Sequence, residues 1–121
     1  AGQRPFLPMI EQVSPSDLPR WLQAASTAGV PLLLDVREPA EWQLASVDAA
    51  GAESLRLPMR SLPPRLHELD PERPVAVLCH HGGRSMQVAM FLKQQGFARV
   101  ANVAGGIDAW SLQVDPSIPR Y

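Results

Sequence analysis

The segment of residues 75–85 reads Val75-Ala76-Val77-Leu78-Cys79-His80-His81-Gly82-Gly83-Arg84-Ser85. Its first four residues are apolar without alternation, which is typical of a parallel strand buried on both faces. The two glycines allow a tight turn, and the pattern after them predicts a helix from Gly83 or Arg84 to Gln95, ended by Gly96. A buried strand, a tight loop and a helix in succession indicate an α/β architecture.

The rest of the chain repeats this alternation of strands and helices. A second apolar run, Pro31–Arg37, predicts another buried strand. A helix is predicted with Ser14 as its N-cap and Pro15 in its first turn, ending near Ala28 before Gly29. Shorter elements are a weakly alternating run at Met9–Val13, a helical turn at Pro39–Gln43, a strand at Ser54–Pro58, a helix at Ser61–His67, a strand at Phe97–Val103 and a helical turn from Gly105 to Trp110. We therefore expect a mainly parallel central sheet of about five strands, flanked by helices on both faces.

Length and composition predict a single domain. The chain has 121 residues, of which 45% are hydrophobic, and this suffices for one core. We expect one domain over residues 1–121, with a folded core at about 9–112 and extended termini at 1–8 and 113–121. The proline-punctuated tail from Val114 to Tyr121 is expected to lie extended on the surface.

Charge and cysteine content narrow the classes of partner. Eleven Lys and Arg residues against 12 Asp and Glu give a net charge of −1, so no cationic field attracts nucleic acid or an acidic membrane. The apolar run Phe6–Ile10 is far too short to span a bilayer. Cys79 is the only cysteine, which excludes an intrachain disulfide and fits a reducing compartment. We therefore expect a cytoplasmic protein with neither nucleic acid nor membrane as a partner.

The place of Cys79 in the chain favours a chemical role for its thiol. Ligands gather at the carboxyl ends of parallel strands, and Cys79 follows such a strand. Backbone N–H groups of the glycine loop and the positive end of the helix dipole both favour the thiolate over the thiol. A thiolate is a nucleophile. A lone cysteine is more often a small buried hydrophobe, but this position favours the nucleophile.

Four segments of the chain resemble the rhodanese family of sulfurtransferases and occur in the family's order. They are Leu34–Trp42, Cys79–Ser85, Gly96-Phe97 and Val103–Trp110, and together they span most of residues 32–110. The resemblance implies a rhodanese-like α/β fold. It also implies an enzyme, a rhodanese-type sulfurtransferase similar to thiosulfate:cyanide sulfurtransferases.

The resemblance further implies how such an enzyme works. Cys79 takes a sulfane sulfur from thiosulfate or a persulfide, holds it as a persulfide, and passes it to cyanide, a thiol or a protein thiol. The loop amides hold the donor and the charge that develops on the sulfur. The residues implied in this binding are His80, His81, Gly82, Gly83, Arg84 and Ser85. No metal and no organic cofactor are implied.

Two other functions stay open at this point. One is a cysteine phosphatase or arsenate reductase: related cysteine phosphatases place five residues between cysteine and arginine, whereas four separate Cys79 from Arg84 here, which argues against it. The same loop also suits a binding module that recognises a sulfur carrier without turnover. His80 stands where thiosulfate-preferring members often carry a cation, and because a histidine is mostly neutral at pH 7, weak use of a doubly charged donor is expected.

Several residues near these motifs are expected to be structural. Asp35 and Arg37 are expected to form an ion pair at the end of their strand, with Glu41 as a further partner. Trp42 and Trp110 are expected to cover the core.

The remaining polar residues of the loop are assigned less specifically. His80 and His81 are adjacent in sequence, and adjacent histidines seldom converge on one metal ion. Arg84 either holds an anion at the rim of the loop or is a solvated charge. For Ser85, a structural place at the start of the helix is favoured.

Overall fold

Five parallel strands form one sheet within residues 9–121, the part of the chain that the computed structural model describes. The strands are β1 (Glu11–Val13), β2 (Leu32–Asp35), β3 (Glu53–Arg56), β4 (Val75–Leu78) and β5 (Val100–Val103). Their order across the sheet is β1-β5-β4-β2-β3, and every neighbouring pair is parallel. The predicted parallel sheet of about five strands is confirmed. The predicted extended terminus at residues 1–8 lies outside the described residues. The apolar run Phe6–Ile10 lies only partly within them.

The helices of the described residues are α1 (Leu18–Ala25), α2 (Pro39–Leu44), α3 (Leu62–Arg65), α4 (Gly83–Gln94) and α5 (Gly106–Gln113). Helices α1 to α4 connect successive strands, and α5 follows the last strand. A short 3-10 turn, Ser26–Ala28, follows α1, and two more, Met59–Ser61 and Leu66–Glu68, flank α3. None of the helices described in residues 9–121 is long and apolar enough to cross a bilayer.

The apolar core lies on both faces of the sheet. Along β4, Ala76 and Leu78 face the side that also holds the buried residues of α1 and α5. Val75, Val77 and Cys79 face the other side, with α3 and α4. Since both faces are covered by helices, the strand is apolar at every position, as predicted.

The first helix begins later than predicted. Ser14 is not its N-cap: its Oγ accepts a hydrogen bond from the Asp17 N–H at 3.2 Å in a turn that precedes the helix. Asp17 is the N-cap, and Leu18 and Pro19 are the first two helical residues. Proline is tolerated there because the first amides of a helix have no intrahelical partner, so either proline of this segment satisfies the start of a helix.

Helix α4 buries one stripe of its surface. The residues at helical spacing, Ser85, Val88, Ala89 and Leu92, are buried, while Met86, Met90 and Phe91 remain half-buried. Its apolar residues are therefore a buried stripe with partly covered flanks.

The last strand is shorter and the last helix longer than predicted. β5 begins at Val100 rather than Phe97, because Phe97 still closes the end of α4 through its N–H to the Leu92 carbonyl at 3.1 Å. α5 continues past Trp110 to Gln113, and the Val114 N–H then donates to the Trp110 carbonyl at 2.9 Å.

The two tryptophans and the tail differ in their surroundings from what the sequence indicates. Trp110 is buried in the core as predicted, but Trp42 is only half-buried and faces the Arg56 guanidinium at 5.7 Å. The tail does not simply extend over the surface. Ile118 is buried in the same cluster as Trp110, and the Ser111 hydroxyl donates to the Ile118 carbonyl at 2.7 Å.

Candidate functional site

The sulfur of Cys79 lies at the centre of a tight loop at the end of β4. Cys79 is 1% exposed. The Gly82 N–H donates to Sγ at 3.1 Å, and the Ser85 Oγ lies 3.2 Å from Sγ. Gly82 adopts a φ of +104°, the left-handed region that favours glycine, and this turns the chain back toward the sulfur at the start of α4. The structure thus brings Gly82 and Ser85, of the residues predicted for the loop site, into contact with the Cys79 sulfur.

A chain of polar groups supports Ser85 from behind the loop. Ser85 is fully buried, and its Oγ donates to Asn102 Oδ1 at 2.5 Å. Asn102 Nδ2 in turn donates to Gln12 Oε1 at 2.9 Å and to the Gly82 carbonyl at 3.2 Å. A serine has a single hydroxyl proton, and here it goes to Asn102. When Cys79 carries its proton, the thiol is then the group that can donate in the contact with Ser85.

The start of α5 packs directly against the loop. The Ile107 N–H donates to the Cys79 carbonyl at 2.9 Å, and the Asp108 N–H donates to the His80 carbonyl at 3.1 Å. Gly106 has a φ of +62°, and a Cβ at this position would overlap the same two carbonyl groups. The absence of a side chain at Gly106 therefore permits the contact that fixes the first residues of the loop.

An ion pair closes the rim of the loop. Arg84 Nη1 and Nη2 donate to Glu41 Oε1 at 2.6 Å and Oε2 at 2.8 Å. This bond to Arg84 lowers the pKa of Glu41 to about 2, and the bond to Glu41 raises the pKa of Arg84. Both groups are charged at neutral pH. Arg84 is therefore not a free solvated charge, since it is paired with a carboxylate, and its predicted role in holding an anion stays a prediction.

Arg37 is buried beneath this pair with its donors engaged. It is 0% exposed and forms the predicted ion pair with Asp35 at 2.8 Å. Its remaining N–H groups donate to the carbonyls of Glu41 at 3.2 Å and Ala45 at 2.9 Å and to the Tyr121 hydroxyl at 2.9 Å. The prediction that Glu41 completes the Arg37 ion pair is wrong, since only the backbone oxygen of Glu41 binds Arg37 and its carboxylate binds Arg84.

Tyr121 links the tail to the loop and is a site residue that the sequence did not reveal. Its hydroxyl donates to Glu41 Oε2 at 2.7 Å, and its ring stacks on His80 with centroids 3.8 Å apart. Burial raises the pKa of Tyr121 to about 12 and lowers the pKa of His80 below its usual range. His80 is therefore neutral at pH 7, as expected for the residue after the cysteine.

The second loop histidine has an acidic neighbour that sequence adjacency did not indicate. Nitrogen atoms of His80 and His81 and a carboxylate oxygen of Asp108 all lie within 4.8 Å of one another. The two rings are stacked with their centroids 3.8 Å apart. Asp108 is also bonded to Arg120 at 2.8 Å. Asp108 thus pairs with Arg120 beside the stacked histidines, and the absence of a metal site stays a prediction.

Comparison with known proteins agrees with this loop and fold. The model of the family described as Rhodanese-like domain matches residues 18–113. The chain belongs to the rhodanese-like domain family. Its relatives include a protein named sulfurtransferase from Allochromatium vinosum, 38% identical over 85% of this chain and 90% of that one. The resemblance of the four sequence segments to the rhodanese family is thereby confirmed. The family is one of sulfurtransferases, and this member has a single cysteine, which is buried.

Other relatives differ in length and context. The chain is 51% identical over 74% of its length to the rhodanese-like/PpiC domain-containing protein 12 of Arabidopsis thaliana chloroplasts, but it spans only 30% of that protein. Among solved structures, a rhodanese-related protein from Thermoplasma volcanium is 28% identical with a TM-score of 0.71, covering 92% of this chain and 99% of that one. A polysulfide-sulfur transferase from Wolinella succinogenes is 29% identical with a TM-score of 0.66, covering 93% and 78%.

Proposed function

We propose that Cys79 of this rhodanese-like domain carries a sulfane sulfur as a persulfide between a donor and a thiophilic acceptor. The observation that carries the proposal is the position of Sγ at the start of α4, with the Gly82 N–H at 3.1 Å and the Ser85 Oγ at 3.2 Å. The first amides of α4 have no partner within the helix, so they are available to an outer sulfur bound on Sγ.

The reaction conserves sulfur and charge at each step. The Cys79 thiolate attacks the outer sulfur of thiosulfate, the S–S bond of the donor breaks, and sulfite leaves with the bonding pair. Cyanide or a thiolate then attacks the outer sulfur of the Cys79 persulfide. Thiocyanate or a new persulfide departs, and the Cys79 thiolate is restored. No metal or organic cofactor takes part in either step.

Ser85 is suited to follow the charge on the sulfur. While Cys79 is protonated, its thiol donates to the Ser85 Oγ at 3.2 Å. Loss of that proton leaves an anion, toward which the Ser85 hydroxyl can rotate its own proton from Asn102. The serine thus supplies a hydrogen bond to the anionic forms of the sulfur.

The four-residue spacing supports sulfur over phosphate as the transferred group. In the related phosphatases a longer loop forms the ring of amides around a phosphate, whereas Cys79 and Arg84 enclose four residues. A phosphatase would hydrolyse p-nitrophenyl phosphate, and we expect no such activity.

We further propose that the acceptor is a thiol, and that it includes a protein thiol or sulfur carrier. Two relatives from Zea mays and Mycobacterium tuberculosis carry names that join adenylyltransferase and sulfurtransferase, which supports a protein acceptor. This chain spans 19% and 26% of those proteins. A reducing compartment such as the cytoplasm is proposed on the single cysteine alone.

The test is direct detection of the persulfide. The protein is incubated with thiosulfate or a low-molecular-weight persulfide and weighed by intact mass spectrometry. We expect one added sulfur atom, removed by cyanide with release of thiocyanate, and no adduct on a folded Cys79→Ser variant. Absence of an adduct with every donor, while iodoacetamide still alkylates Cys79, would overturn the proposal. An adduct that forms but passes to no acceptor would favour the binding module.

A further inference from the structure

The carboxylate of Glu41 binds the guanidinium of Arg84, the arginine of the Cys79 loop. Its two oxygens accept from Nη1 and Nη2 of Arg84 in a bidentate pair, with the Glu41 carboxylate 17% and the Arg84 side chain 33% exposed. A bidentate pair uses the fork of the guanidinium that would otherwise bind an anion. The positive charge nearest to the bound donor is therefore already neutralised.

Two further donors hold Glu41 in this place. The Tyr121 hydroxyl donates to Oε2 at 2.7 Å, and the Glu38 N–H donates to Oε1 at 3.2 Å. A carboxylate bound by three residues does not swing aside without losing several hydrogen bonds. An incoming anion must therefore meet the pair rather than a free arginine.

The other arginines around the loop are paired as well. Arg37 is buried against Asp35, and Arg120 binds Asp108 beside the histidines. His80 lies between the rings of Tyr121 and His81 and adds no positive charge at neutral pH. A dianion at the loop thus finds N–H groups but no uncompensated cation among these residues.

We propose that Glu41 is a specificity-determining residue, which by neutralising Arg84 selects sulfur donors of low charge over dianions such as thiosulfate. The inference rests on the proposed persulfide chemistry of Cys79. In this inference, the expected weak use of thiosulfate results from the Glu41 carboxylate in α2. The sequence had indicated only His80, the residue after Cys79, as its cause.

Two donors that differ by one charge isolate this effect. Thiosulfate and methanethiosulfonate both present an outer sulfane sulfur, but a methyl group in the second replaces one charged oxygen. In both cases the Cys79 thiolate attacks the outer sulfur and the donor S–S bond breaks. Sulfite leaves from the first donor and methanesulfinate from the second, each with the bonding pair, and the same Cys79 persulfide results.

The measured quantity is the ratio of kcat/KM for thiosulfate to kcat/KM for methanethiosulfonate, with cyanide as acceptor. Glu41→Gln keeps the shape of the side chain and removes its charge, while one of the two acceptor oxygens becomes an NH2 group that cannot accept. At a separation of about 8 Å and an effective dielectric constant of about 40, one unit charge changes the binding of a donor about 5-fold for each donor charge. We therefore expect the ratio to rise about 5-fold in Glu41→Gln, and to rise less at high salt.

Two more variants control for net charge and for folding. Glu68 forms a similar bidentate pair with Arg65, whose Nε and Nη2 donate to its two oxygens at 2.7 and 2.8 Å on the exposed surface beside α3. Glu68→Gln therefore removes one negative charge away from the loop, and the ratio for this variant should equal that of the wild type. Arg84→Gln leaves Glu41 uncompensated and should lower the ratio. If Glu41→Gln shows no cooperative thermal unfolding and is therefore not folded, the test rests on the decrease of the kcat/KM ratio in Arg84→Gln.

The outcomes separate this inference from the function on which it rests. If the wild-type protein forms no persulfide with either donor, the proposed function fails. If both donors label Cys79 but the ratio is the same in the wild type, Glu41→Gln and Arg84→Gln, the sulfurtransferase stands and the role of Glu41 is overturned. An equal rise in Glu68→Gln would also overturn it, because the effect would then follow net charge alone.

Discussion

Replacing Gly106 by alanine should both destabilise the fold and displace the Cys79 loop. The φ of Gly106 is +62°, and a Cβ there would overlap the carbonyl groups of Cys79 and His80. The left-handed conformation costs an L-residue roughly 1–2 kcal/mol. Relieving the overlap by shifting packed backbone costs about 1–3 kcal/mol more. The expected loss in the free energy of unfolding is therefore about 2–5 kcal/mol.

Gly51→Ala is the matched control. Gly51 also has a positive φ, +86°, but a Cβ built there meets no atom within 4 Å. Its cost is the left-handed conformation alone, about 1–2 kcal/mol, less the entropic gain of replacing glycine in the unfolded chain. The difference between the two variants thus measures the close approach of α5 to the loop.

Urea titration and the rate of sulfur transfer together test this reasoning. Moving Gly106 stretches the hydrogen bonds from the Ile107 N–H to the Cys79 carbonyl and from the Asp108 N–H to the His80 carbonyl. Because small displacements of reacting groups are costly, the folded Gly106→Ala variant should lose at least about 10-fold in rate, while Gly51→Ala keeps the wild-type rate. Equal destabilisation of the two variants with unchanged rates would refute the assigned role of Gly106.

Three other perturbations follow from the polar contacts. Arg37→Lys should cost about 3–5 kcal/mol in urea titration, because an ammonium cannot reproduce the guanidinium bonds and leaves Asp35 buried without its full pairing. Since the bond to Arg84 lowers the pKa of Glu41 to about 2, this carboxylate contributes stability that is present above its unfolded pKa of ~4.3 and is lost as the pH falls through about 2. The stability difference between the wild type and Arg84→Gln, followed by circular dichroism, should therefore shrink between about pH 5 and pH 2. Ser85→Ala should slow persulfide formation about 10-fold and cost about 1–2 kcal/mol, because a buried amide loses its donor; an unchanged rate would place Ser85 outside the chemistry.

The elements that the sequence predicted best are those with local signals. β4 has the predicted bounds, and the helix after the glycine pair ends one residue before Gln95. An unalternating apolar run and a pair of glycines are local signals, because they can be recognised without knowing which other segments pack against them. The start of α1 was misplaced because Pro15 and Pro19 both fit a first helical turn, and local pattern cannot choose between two permitted starts.

The site divides in the same way. Cys79 and its loop are continuous in sequence, so their proximity follows from chain connectivity. The pair of Glu41 with Arg84 joins residues 43 apart, and the bond from Tyr121 to Glu41 joins residues 80 apart. Such contacts depend on how α2, α4 and the tail pack, and no periodicity encodes them. Asn102 is the exception, since a polar residue in the otherwise apolar strand β5 is itself a sign of a buried hydrogen bond.

The near-zero net charge of the chain has a local counterpart in the paired arginines around the loop. The two reacting forms of Cys79 in the proposed cycle, the thiolate and the anion of its persulfide, each carry one negative charge. Neutral donors such as the Gly82 N–H and the Ser85 hydroxyl stabilise both forms alike. A free cation would instead bind sulfite, the dianionic product of thiosulfate, as well as thiosulfate itself, and so would slow its release. A loop of neutral donors with Arg84 neutralised by Glu41 therefore suits repeated transfer of sulfur between singly charged partners.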